Sequence, residues 1–159
     1  MTETKKKELE NSLKKGFEEG AKLTIDGRNV RLIGNWPKDC FLNPSVFEDV
    51  TPDMEIGKEE IFGSVTCVIK ARTFDEAVEM IHKNPYSNAA SIFTSSGKWA
   101  REFQYWFECG NIGINIGIVA PMAFFPFSGM KNSFFGVLHG QGQEAIRFFT
   151  ESIVIQRWF

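Results

Sequence analysis

Val65-Thr66-Cys67-Val68-Ile69-Lys70-Ala71 runs into Thr73-Phe74-Asp75-Glu76-Ala77-Val78 and stops at Asn84-Pro85, and along it the hydrophobic period changes from strand-like to helical. Val65, Cys67, Ile69 and Ala71 fall on one side of an extended chain, with Thr66, Val68 and Lys70 on the other, which predicts a strand with one core face. Thr73 and Glu76 have the spacing of a capping box, and Phe74, Ala77, Val78 and Ile81 then recur at helical intervals. The helix ends at Asn84-Pro85 because proline disfavours helical backbone in the residue before it. A strand followed by a capped helix is the unit from which α/β layers are built.

The alternation continues downstream. Ala89 to Thr94 reads as a short apolar strand, and Ser95 or Ser96 caps a second helix with a stripe of Trp99, Ala100, Phe103 and Phe107, ended by Gly110. Asn111 to Asn115 alternates as a strand, and the Pro- and Phe-rich stretch to Phe127 reads as loop with buried rings. Gly140 and Gly142 precede a short helix, Gln143 to Phe149, with Ala145, Ile146 and Phe149 inward, and Ser152 to Trp158 closes the chain as an apolar strand. Upstream, Leu9, Leu13 and Phe17 stripe a helix over Thr2 to Gly20 that is expected to fray at its start. Lys22-Leu23-Thr24-Ile25 and Val30-Arg31-Leu32-Ile33 flank Asp26-Gly27-Arg28-Asn29 as a predicted hairpin, and Phe41 to Val50 reads as irregular and extended up to a turn at Thr51-Pro52-Asp53. Alternation from residue 63 onward predicts an α/β fold with a mixed, partly parallel sheet built on right-handed crossovers.

The 159 residues have the size of one ordinary domain, and 43% apolar residues with 16 Phe and 4 Trp exclude a disordered chain. A net charge of −2 with interspersed signs offers no basic face for a phosphate backbone, so no nucleic-acid partner is expected. The polar start and the short, proline-interrupted apolar stretch from Ile114 to Phe127 predict no membrane partner and a cytoplasmic protein.

Few residues carry recognisable chemistry by themselves. Glu60 and Phe62 stand beside Gly63 at the start of the predicted strand, where a carboxylate and a ring can project from a rigid element toward a ligand. Phe124, Phe125, Phe127, Phe134 and Phe135 can wall an apolar pocket or fill a core, with Gly129 and Gly136 allowing close backbone approach. Gly110 to Gly117 lacks the glycine order of a phosphate loop, and His82 and His139 lack metal-ligand spacing, so no metal site is expected. Cys40, Cys67 and Cys109 form no Cys-x-x-Cys pair. Cys67 falls on the core face of a strand and Cys109 at a helix end whose dipole raises a thiol pKa, so none reads as a catalytic nucleophile.

Several stretches taken in order carry a resemblance: Gly20-Ala21-Lys22-Leu23, Asn43-Pro44-Ser45-Val46-Phe47, Lys58-Glu59-Glu60-Ile61-Phe62-Gly63, Asn84-Pro85-Tyr86, Ile92-Phe93-Thr94-Ser95-Ser96-Gly97, and Pro121-Met122-Ala123-Phe124-Phe125-Pro126-Phe127 with Ser133-Phe134-Phe135-Gly136 behind it. The chain is similar, from about residue 15 to Trp158, to the C-terminal portion of the methylmalonate-semialdehyde dehydrogenases, the CoA-acylating branch of the aldehyde dehydrogenase superfamily. Ser64 stands where that family usually carries proline, and Ser128 where it carries glycine.

The resemblance implies a pathway and roles. Full-length relatives oxidise an aldehyde through a cysteine, pass hydride to NAD and release the acyl group to coenzyme A. It implies that Glu60 holds the nicotinamide ribose hydroxyls, that Phe62 packs against that ribose, and that Phe127 lies in the substrate tunnel. It divides the chain into the start of an N-terminal helix at 1–14, a partial catalytic domain at 15–150 and an oligomerisation strand at 151–159. The family's nucleophilic cysteine and nucleotide-binding domain have no counterpart in these residues. The expectation is therefore a fragment with no catalytic residue of its own, inactive and binding no cofactor alone. It forms a homo-oligomer or complements a separate chain carrying the nucleotide-binding domain, as one subunit of a split dehydrogenase. The alternative is a noncatalytic self-association or binding module.

Overall fold

The computed structural model describes residues 1–158; Phe159, the end of the expected oligomerisation strand, lies outside them. The chain divides between Glu76 and Ala77 into two compact units. Both units are mixed α/β with partly parallel pairing, as expected.

In the first unit, helix α1 (Glu3–Glu18) is capped by Thr2, whose hydroxyl accepts from the Lys5 N–H at 3.2 Å, and Gly20, at φ 98°, follows its end. Its buried face is Leu9, Leu13 and Gly16, while Phe17 is 67% exposed. At 3.6 residues per turn Gly16 lies about 20° round the helix from Leu9 and Phe17 about 80°, so Phe17 rotates out of the expected stripe.

Strand β1 (Lys22–Ile25) pairs antiparallel with β2 (Ser45–Glu48), and β2 pairs parallel with β3 (Val65–Cys67), giving the order β1-β2-β3. A short helix, α2 (Glu55–Lys58), lies in the connection between the parallel strands. Two expectations are corrected here. The hairpin does not form, because β1 takes β2 as its partner and Val30 to Ile33 is not a strand. Asp26 instead chelates the Arg28 guanidinium, the Gly27 N–H donates to Ser45 Oγ at 3.0 Å, and the Asn43 N–H donates to Gly27 O at 2.9 Å, tying the turn to the approach of β2. The stretch read as irregular around Val46 is the central strand. Its Phe47 is fully buried and joins Leu13, Ala21, Val50 and Ile56 in the core.

Helix α3 (Phe74–Lys83) begins as the sequence predicts: Thr73 Oγ1 accepts from the Glu76 N–H at 3.1 Å. Glu76 reaches the Arg72 N–H at 2.8 Å rather than completing the reciprocal box on Thr73. In the second unit β5 (Ala89–Ile92), α4 (Gly97–Trp106) and β6 (Asn111–Ile114) form a parallel crossover with Ala89 opposite Asn111 and Ile92 opposite Ile114. Ser96 supplies the α4 cap, accepting from the Trp99 N–H. Phe103 is buried and stacks on Phe107 at 3.9 Å between ring centroids. Two short strands that the sequence did not announce, β4 (Tyr86–Ser87) and β7 (Met130–Lys131), pair antiparallel.

The second unit buries less than its sequence promises. Helix α5 (Gly142–Phe149) has no buried residue, and its expected inward side chain Phe149 is 83% exposed. The rings of Phe124, Phe125 and Phe135 are exposed as well, instead of lining a closed core. Residues 151–158 have no strand partner among the described residues, and Trp158 is 99% exposed. An apolar strand needs a sheet edge to pair with, and none of the described strands takes this segment as a partner.

Candidate functional site

Glu60 and Phe62 sit on the short segment between α2 and β3, and the residues around them fix how they project. The Glu59 N–H closes α2 on Glu55 O at 2.9 Å, after which the chain leaves the helix. Ile61 packs against the core, whereas its neighbours Glu60 and Phe62 are exposed, Phe62 by 76%. Alternate side chains of a non-helical segment point to opposite sides. Anchoring Ile61 inward therefore sends the carboxylate and the ring outward together.

Gly63 holds this segment down. A Cβ there would stand 2.5 Å from Cδ2 of the buried Leu9, so glycine lets the loop lie directly on α1 without displacing that side chain. The next residue ties the loop to the sheet, as Ser64 O accepts from the Ser45 N–H at 2.8 Å. Ser64 Oγ faces the carbonyls of Leu42 and Asn43 at 3.5 and 3.4 Å. Among the described residues the Glu60 carboxylate has no hydrogen-bond or ion-pair partner. A carboxylate with both oxygens uncommitted beside an exposed ring can take two hydroxyl donors and one face of a sugar.

Phe127 belongs to the second unit. Its N–H donates to Gly140 O at 2.8 Å in an isolated antiparallel bridge, and its ring is 47% exposed. The flanking loop is pinned by the Phe125 N–H on Met122 O at 2.9 Å and the Gly142 N–H on Ala123 O at 3.1 Å. Downstream, Asn111 Nδ2 donates to Ser128 O at 2.9 Å, and Ser87 N–H donates to Ser133 Oγ at 3.0 Å while the Ser87 hydroxyl donates to Glu108 O. The Pro126 to Gly136 motif is thus secured to β4 through the Ser133 hydroxyl and to β6 through the Ser128 carbonyl. Asn115, at φ 56°, is another device missed in the sequence: its amide accepts from the Thr94 N–H at 2.9 Å and donates to Thr94 O at 3.0 Å, extending the β5–β6 pairing past its end.

The thiols of Cys67 and Cys109 are not prepared for nucleophilic attack. Cys67 packs against the core with its Sγ 3.4 Å from Ile56 O, and burial pushes its pKa up. Burial also raises Cys109, against a smaller lowering by hydrogen bonds with the Ala90 and Asn111 backbone. The cause at Cys109 differs from the one the sequence suggested, because α4 ends at Trp106 and burial is what raises the thiol. Among the described residues no three His, Cys, Asp or Glu side chains are grouped to hold a metal ion, and no helix is long and apolar enough to cross a membrane.

Comparison with known proteins gives a consistent family. The aldehyde dehydrogenase family model matches residues 1–155, so the likeness begins earlier than about residue 15 and takes in α1. A malonate-semialdehyde dehydrogenase of Listeria innocua is 45% identical over 143 residues, covering 90% of this chain and 28% of that protein. The crystal structure of methylmalonate-semialdehyde dehydrogenase from Oceanimonas doudoroffii superposes with a TM-score of 0.93 at 34% identity over 99% of this chain and 32% of that one. An aldehyde dehydrogenase of Mycobacterium tuberculosis complexed with NAD+ superposes with a TM-score of 0.82 at 32% identity, over 94% of this chain and 30% of that one. The chain therefore spans less than a third of the length of these relatives. On the family match over residues 1–155 and these identities, it belongs to the aldehyde dehydrogenase family.

Proposed function

We propose that the chain is the C-terminal part of the catalytic domain of an NAD-dependent, CoA-acylating malonate- or methylmalonate-semialdehyde dehydrogenase, and that it does not oxidise aldehydes by itself. The observation that carries the reading is the outward pair Glu60 and Phe62, held by the inward Ile61 and by Gly63 against Leu9. In the complete site the Glu60 carboxylate accepts from the two ribose hydroxyls on the nicotinamide side and fixes the ring's orientation. Phe62 covers one face of that ribose and keeps water from it, and Phe127 supplies part of the apolar wall that meets the aldehyde. NAD supplies the hydride acceptor and coenzyme A the acyl acceptor when bound.

Two further observations support an incomplete site. Large apolar side chains near the end of the second unit stand uncovered: Phe148, Phe149, Ile153, Val154, Ile155 and Trp158 are all exposed. Neither Cys67 nor Cys109 has the lowered pKa of a catalytic thiolate. Three unpaired cysteines fit a reducing, cytoplasmic setting.

The exposed apolar end favours a second reading, a noncatalytic module whose final segment adds to a sheet edge of another copy. Mixing separates the two. A partner polypeptide with the nucleotide-binding domain and the nucleophile is combined with this chain, and NADH formation from malonate semialdehyde is followed. The dehydrogenase reading expects turnover only in the mixture, and a Glu60→Gln variant there that raises the KM for NAD about tenfold, or ~1.4 kcal/mol. Association without turnover favours the module.

A further inference from the structure

We propose that Gly140-Gln141-Gly142 is a backbone clamp that positions Phe127, and that it thereby sets which aldehydes the aromatic wall accepts; the second half of this rests on the dehydrogenase reading above. The Phe127 N–H is held by Gly140 O at 2.8 Å, and two residues later the Gly142 N–H holds Ala123 O at 3.1 Å. The aromatic loop from Ala123 to Phe127 is therefore gripped at both ends by the same three residues.

The residue between the two grips pays for the geometry. Gln141 lies at φ 83° and ψ 163°, backbone space that is essentially glycine's alone. Its side chain makes no capping hydrogen bond to α5 that would offset the strain. A conformation this unfavourable persists only where its surroundings impose it, and the two bonds to the aromatic loop are what lies on either side. Gly142 then closes the fit. At φ 60°, a Cβ on it would stand 2.7 Å from Phe124 O and 3.2 Å from the carbonyl carbons of Phe124 and Phe125, so any larger residue pushes the loop away. The His139 N–H on Glu144 Oε2 at 2.8 Å ties the approach to the clamp back onto α5.

Gly142 and Gln141 act through Phe127 and are positioning residues. Two measurements test the proposal, the first independent of activity. In the whole chain labelled with para-fluorophenylalanine, with the Phe127 resonance assigned from Phe127→Leu, Gly142→Ala is expected to shift the Phe127 resonance and leave that of the core residue Phe47 in place. Gln141→Gly should raise the Tm and leave the Phe127 resonance where it is, whereas Gln141→Val should lower the Tm and shift it. A Phe127 resonance unmoved in both Gly142→Ala and Gln141→Val, with Phe47 native, overturns the clamp; Gln141→Val decides alone if Gly142→Ala does not fold. In the mixed enzyme, Gly142→Ala is expected to raise KM at least fivefold for the best aldehyde and less for a longer one, with kcat changed under twofold. A uniform loss of kcat for all aldehydes overturns the specificity role. A wild-type mixture without turnover defeats the dehydrogenase reading and with it that role, while the resonance shifts still judge the clamp.

Discussion

The Lys131 ammonium donates to His82 O at 2.9 Å and to Asn84 O at 3.0 Å, two carbonyls at the end of α3, from a residue whose own backbone is at φ 52°. A cation on the last carbonyls of a helix complements its dipole, and this one also ties β7 to the chain that enters β4. Lys131→Met should destabilise the chain by about 1 kcal/mol, read as a lower denaturant midpoint at unchanged slope. The thiols give a prediction with a pH sign. Burial raises the pKa of Cys67 and Cys109, so the reactive thiolate is scarcer at neutral pH than in a free thiol. Alkylation of both by iodoacetamide should be slow at pH 7 and keep rising with pH beyond the ordinary thiol range near about 8.5. Fast modification of either at neutral pH would mark it as an activated nucleophile and contradict the site described above.

Among the elements, β2 and α5 are opposites. Phe47 of β2 is fully buried, and Phe47→Ala should cost about 3–5 kcal/mol by removing the centre of the first core. Ile146→Glu and Phe149→Glu on α5 should lower the Tm little, since neither side chain is buried, and should improve solubility; a large loss would mean that α5 is covered. The same contrast shows what was legible in the sequence. Caps are local, so Thr73 and the Ser95-Ser96 pair announced α3 and α4, period-two alternation announced β3 and β6, and a short apolar run announced β5. Pairing partners are not local. Asp26-Gly27 looks like a hairpin turn, but its backbone bonds go to Asn43 and Ser45, and β2 was hidden because Pro44 and Ser45 break its apolar run. The pair Glu60 and Phe62 stands out beside Gly63, its roles come only from the resemblance, and its outward aim follows from Ile61, a residue ordinary in itself. The grip of Gly140 and Gly142 on the aromatic loop could not be read, because its donors and acceptors are backbone groups that every sequence carries.

At the scale of the whole molecule, the exposed apolar end predicts association. Light scattering should find more than one chain per particle, and deletion of Ser152 to Phe159 should reduce the particle mass. A stable monomer at high concentration would count against that surface being an interface. Association and catalysis are separate claims, however, because an assembly of identical chains adds copies of Glu60, Phe62 and Phe127 but no activated thiolate. The direct measurement is NADH formation by the purified chain, supplied with malonate semialdehyde, NAD and coenzyme A and nothing else. No NADH above the enzyme-free rate is expected at any chain concentration; sustained turnover that scales with chain concentration would contradict the account.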